Sequence, residues 1–146
     1  MNKRLIFLLV LVGLLVILSV SVVAAQSTAT VVGIKATDPI AKEPSDPGQF
    51  TVYRTSSASL ASLTVFYTVT GTAANGVDYV KLTGSVVIPG GAASALIPVR
   101  VIDDKIVEKP ETVIVTLIQY CPGPLPCTYD IDKTAPSATV TIYDND

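Results

Sequence analysis

Past its first 25 residues the chain never sustains a helical period. Short runs rich in Val, Ile and Thr recur instead, separated by clusters of Gly, Pro, Asn, Asp and Ser. The run Leu63 to Thr70 shows the pattern best. Leu63, Val65, Tyr67 and Val69 alternate with Thr64, Phe66, Thr68 and Thr70. A period of two sends successive side chains to opposite faces of a sheet, so this reads as a strand with one face inward. The predicted strands are Thr30–Ala36, Gln49–Thr55, Leu63–Thr70, Tyr79–Ile88, Ala93–Ile102, Thr112–Tyr120 and Ser137–Tyr143, the fourth breaking near Gly84. Seven short strands with regular turns predict an all-β, seven-stranded antiparallel sandwich of immunoglobulin type, with a small closed barrel as the alternative.

Residues 1–25 read differently. Lys3 and Arg4 precede an apolar run that ends in the small residues Ala24 and Ala25. This predicts a secretory signal cut after Ala25, or an uncleaved anchor over residues 5–25. Both put the rest of the chain across the membrane, so the protein is expected to be secreted or on the cell surface. An exported chain keeps disulfides, so Cys121 and Cys127 are expected to pair across a short proline-rich loop, free thiols being the alternative. Residues 26–146 are expected to form one domain.

The chain has no histidine and no tryptophan. Histidine-based triads and His-ligated metals are therefore impossible, and no Gly-x-Ser-x-Gly turn is present. Residues 26–146 hold eight Lys and Arg against twelve Asp and Glu, a net charge of −4. That excludes the basic footprint of a nucleic-acid binder. No enzymatic activity is expected.

The placement of the acids is more informative than their number. If successive strands alternate in direction, every second turn falls at the same pole. Asp38, Glu43, Asp46, Asp78, Asp103, Asp104, Glu108, Glu111, Asp144 and Asp146 then share one pole, with Lys42, Lys105 and Lys109. Only Asp130 and Asp132 fall at the other. Carboxylates crowded this way must protonate, separate or bind a cation. Calcium takes six to eight oxygens in irregular geometry and suits carboxylates drawn from several loops. A solvated acidic rim is the alternative.

Three ordered segments carry a family likeness: Gly71-Thr-Ala-Ala-Asn-Gly-Val-Asp-Tyr79, Val101-Ile-Asp-Asp-Lys-Ile-Val-Glu-Lys-Pro-Glu111 and Ala138-Thr-Val-Thr-Ile-Tyr-Asp-Asn-Asp146. Gln49-Phe-Thr-Val-Tyr-Arg-Thr55 adds a fourth. Together they resemble the Calx-beta domain, over nearly all of residues 30–146. The resemblance implies a seven-stranded sandwich that holds calcium at one end. It also implies the ligands Glu43, Asp78, Asp103, Asp104, Glu108, Glu111, Asp144 and Asp146. Lys105 and Asn145 depart from the family's acidic runs, which reduces the expected complement to one or two ions.

Two functions follow as expectations. The first is an extracellular calcium-binding module with a structural or adhesive role. The second is a surface assembly or filament subunit, joined through strand edges or loops to a protein partner or to itself. Membrane contact is expected only through residues 5–25.

Overall fold

The computed structural model describes residues 30–55, 61–124 and 127–146. The expected leader at 1–25 lies outside them. Among the described residues no helix is long and apolar enough to cross a membrane. The strands are β1 (Val31–Asp38), β2 (Ile40–Lys42), β3 (Gly48–Arg54), β4 (Leu63–Gly71), β5 (Ser85–Ile88), β6 (Ser94–Val99), β7 (Glu111–Ile118), β8 (Asp130–Ile131) and β9 (Ser137–Tyr143). They form two sheets, ordered β6-β3-β1-β8 and β2-β9-β7-β4-β5.

The sandwich is as expected, but the count and the purely antiparallel pairing are not. Nine strands are present among the described residues, and two pairs are parallel: β1 with β8, and β2 with β9. The two additional strands are only three and two residues long, too short to show a period. β2 arises where the chain changes sheets. Pro39 has no N–H to continue the ladder of β1, and its carbonyl instead accepts from Thr141 N of β9 at 2.8 Å. β2 continues in the direction of β1, and β8 runs in the direction of β9. Neither adds a reversal, so the acidic turns stay at one pole.

Alternation builds the core. Val65 and Tyr67 of β4, Val113, Val115 and Leu117 of β7, Val140 and Ile142 of β9 and Phe50 and Val52 of β3 are buried together between the sheets. On the outer face of β4, Phe66 packs against Tyr120 with ring centroids 4.9 Å apart and the rings tilted by 42°. Cys121 and Cys127 are joined as a disulfide beyond β7.

Just past that loop, Tyr129 is wholly buried and its hydroxyl bridges two strands. It accepts from Phe66 N at 2.9 Å and donates to Ile118 O at 2.5 Å. Tyr129→Phe keeps the ring but strands a backbone donor and an acceptor. The expected loss is about 2 kcal/mol. Urea unfolding checks this as a lower midpoint at unchanged slope.

Candidate metal centre

Four segments deliver carboxylates to one pole. The first is a tight turn after β2, in which Lys42 and Asp46 exchange backbone hydrogen bonds, both at 2.8 Å. Glu43 N also donates to Tyr143 O at 3.0 Å, which ties this turn to the end of β9. Glu43 is thereby carried inward, with 9% of its surface exposed.

The second segment is the turn from Gly71 to Asp78. It starts with Gly71 at φ 126°, where an added Cβ would sit 2.0 Å from Thr112 O. It ends with Asp78 Oδ2 accepting from Ala74 N at 2.6 Å. The third is the long β6–β7 connection. Asp104 Oδ1 accepts from Ile106 N at 2.7 Å. The fourth is the tail of β9, where Asp144 accepts from Glu108 N at 2.8 Å and from Asp146 N at 3.0 Å.

These segments assemble two carboxylate triads. Glu43, Asp144 and Asp146 form one, and Asp78, Glu108 and Glu111 the other; within each, one oxygen per residue lies within 4.8 Å of the others. Two oxygens on opposite sides of a calcium ion stand about 4.6–5.2 Å apart, so the spacing fits that ion. All eight acids singled out in the sequence lie at this pole, but Asp103 and Asp104 join neither triad. Asp103 Oδ1 accepts from the Asn145 amide at 3.0 Å, and Asp104 is engaged with the backbone of its own loop.

Electrostatics bear the marks of crowding. Burial, then the charges of Asp144, Asp104, Asp103 and Glu108, push Glu43 above the usual carboxylate range. Burial, a hydrogen bond shared with Asp78, and the charges of Asp78 and Glu108 push Glu111 up to about 7. Glu108 is raised as well, by desolvation and then by its acidic neighbours. Asp144 goes the other way, held low by backbone N–H donors.

Two buried polar atoms find no hydrogen-bond partner among the described residues: Glu43 Oε2 and the Tyr79 hydroxyl. Burial and then the charge of Asp78 raise the Tyr79 hydroxyl above its ordinary range. Sequence reasoning missed both atoms, because alternation predicts which way a side chain faces and not whether its polar tip is satisfied. It also missed the division into two triads, which depends on loop path.

A pH dependence follows for the metal-free protein. A carboxyl whose folded pKa is raised stabilises the fold below its unfolded pKa of about 4.5 and loses that contribution as pH rises through the folded value. For Glu111 the window is about pH 4.5 to 7. After discounting for partial exposure, the expected loss is about 1–2 kcal/mol. Glu43 and Glu108 act in the same sense, whereas the lowered Asp144 and Asp132 contribute stability that disappears in stronger acid. Melts in EDTA should therefore show greater stability near pH 5 than at pH 8, and Glu111→Gln should flatten that difference.

Comparison with known proteins agrees with this architecture. Matching against curated proteins finds none that is similar. Solved structures do match. CBD12 from CALX1.2 is 24% identical with a TM-score of 0.60, covering 80% of this chain and 44% of that one. The apo-form Calx CBD1 domain is 21% identical with a TM-score of 0.52, covering 78% and 99%. The calcium binding domain CBD12 of CALX1.1 is 23% identical with a TM-score of 0.52, covering 77% and 44%. The chain thus spans less than half the length of the two CBD12 structures and nearly all of CBD1. These likenesses establish a shared fold. The sequence profile of the Calx-beta domain matches residues 19–146, and the chain belongs to the Calx-beta family.

Proposed function

We propose that this protein is a non-catalytic, calcium-binding β-sandwich module that works outside the cell in a structural or adhesive role. One observation carries the reading. Glu43 Oε2 is buried without a hydrogen-bond partner among the described residues, beside Asp144 and Asp146. An unpaired buried carboxylate oxygen costs several kcal/mol unless a cation or a proton meets it. The name of one structural neighbour, a calcium binding domain, supports the choice of ion.

Glu43, Asp144 and Asp146 would hold one ion, with the charges of Asp103 and Asp104 nearby. Asp78, Glu108 and Glu111 would hold a second. Bound calcium supplies positive charge and empty coordination positions, and no redox or acid–base chemistry. The chain's own part is to bring the turns together and to exchange the Glu111 proton, held with a pKa of about 7, for the cation. The leader read over residues 1–25 and the Cys121–Cys127 disulfide support an exported domain over residues 26–146.

Calorimetric titration tests the site. Calcium should bind at least about tenfold more tightly than magnesium, which prefers a stricter octahedron. Glu43→Gln combined with Asp144→Asn should remove one binding event. Unchanged stoichiometry in that variant would sink the assignment.

A further inference from the structure

Two surface features of this fold complement each other. The first is an aliphatic loop tip. Ile106 and Val107 are 61% and 78% exposed in the β6–β7 connection. The tip is pinned on both shoulders, because Ile106 N donates to Asp104 and Glu108 N donates to Asp144. A tip held in place loses little conformational freedom when it docks.

The second is a groove of about 280 Å³ beside the edge strands β5 and β6, each at the free end of its sheet. Val80, Leu82, Leu96 and Pro98 line it together with Lys81 and Arg100, and no carboxylate does. Val80 and Leu96 remain 52% and 54% exposed.

The edge strand itself argues for a loop as occupant. Counting from the bond of Arg54 N to Ala93 O, the residues that turn their backbone groups to the free edge of β6 are Ser94, Leu96 and Pro98. Pro98 has no N–H, so an added strand would lose its ladder at the third of these positions. A loop tip needs no ladder.

We infer that the Ile106–Val107 tip of one copy seats in the β5–β6 groove of a second copy, head to tail. The aliphatic pair meets the apolar lining of the groove. Charge favours the same pairing at the contact itself, because Asp104 and Glu108 flank the tip, while Lys81 and Arg100 line the groove and no acid does among the described residues. The pole stays net negative even with two divalent ions aboard. That same charge repels an anionic bilayer, which leaves the cationic groove as the better match. Because the two surfaces differ, the contact is heterologous, and each copy keeps one free tip and one free groove. Such contacts propagate as open chains. The inference does not rest on metal binding.

Light scattering and sedimentation of the purified protein test it, in EDTA and in calcium. The mass of the wild type should rise steadily with concentration. Ile106→Asp/Val107→Asp and Val80→Asp/Leu96→Asp should each weaken association at least about tenfold. Mixed together, the two variants should form a capped heterodimer, since each supplies the surface the other lacks. If the groove variant fails to fold, Lys81→Glu/Arg100→Glu replaces it. A monomeric wild type, growth that persists in either variant, or a mixture that stays monomeric would each overturn the proposal. The calcium-dependent rise in melting temperature should survive in the tip variant, so failure here is distinct from failure of the metal site.

Discussion

Millimolar calcium should raise the melting temperature of this protein over EDTA by about 8–14 °C for each site it fills. A ligand that binds only the folded state contributes about 2.7 kcal/mol per site at a hundredfold excess over its dissociation constant. For a domain of this size each kcal/mol moves the midpoint by about 3–5 °C. Equimolar magnesium should move it much less. Glu43→Gln sharpens the test because its sign reverses with the ion. In EDTA the variant loses a buried carboxylate that faces Asp144, Asp104 and Asp103, so it should melt above the wild type. In calcium it lacks a ligand and should melt below. Differential scanning calorimetry in both buffers checks the crossing. A variant that melts below the wild type in both would mean that Glu43 packs the turn and does not await a cation.

The second large effect lies at the opposite pole. Arg54, at the end of β3, is buried, and among the described residues its guanidinium reaches three backbone carbonyls. Nε donates to Ala92 O at 2.8 Å, one Nη to Ala61 O at 3.1 Å and the other to Pro89 O at 3.0 Å. One side chain thus ties the turn between β5 and β6 to the residues that lead into β4. Arg54→Met keeps an apolar stem but takes the guanidinium donors away from Ala92 O and Ala61 O, while Pro89 O keeps the Ala92 N–H at 3.0 Å. Hydrogen bonds from charged groups contribute about 1.5–3 kcal/mol each, and some of the carbonyls will find water. The expected loss is about 3–5 kcal/mol, read as a lower denaturant midpoint. Arg54→Lys should recover little of it, because a single ammonium cannot reach three separated acceptors as a planar fork does. A loss below about 1 kcal/mol would show that the turns hold their shape unaided.

The long strands were legible because their neighbours left one face of each dry. β4 and β9 match their predicted spans to within one residue, since alternation there is continuous. The predicted run from Tyr79 to Ile88 survives only as Ser85–Ile88. Gly84 sits at φ 86°, and the residues before it fold toward Arg100 and Val101 instead of joining β4. Val80 N donates to Arg100 O at 2.8 Å, and Tyr79 pairs with Val101. A propensity argument sees β-formers on both sides of the glycine and cannot see that their partner changes.

The carboxylate pole divides in the same way between what was readable and what was not. Strand parity alone assembled its acids, and the parity held because both short strands run in the direction of a longer neighbour. It could not say that Asn145 would engage Asp103, that Asp104 would be spent on its own loop, or that the remaining acids would separate into two triads. Those outcomes depend on loop path to within an ångström or two. The sequence by itself determined the class of fold, its inward faces and the pole at which charge collects, because these follow from local periodicity and the count of reversals. Tertiary contacts set which carboxylates meet, which described oxygen is buried without a partner, and which apolar groups are left exposed. Each of these is set by contacts between residues far apart in the chain, and no local pattern records them.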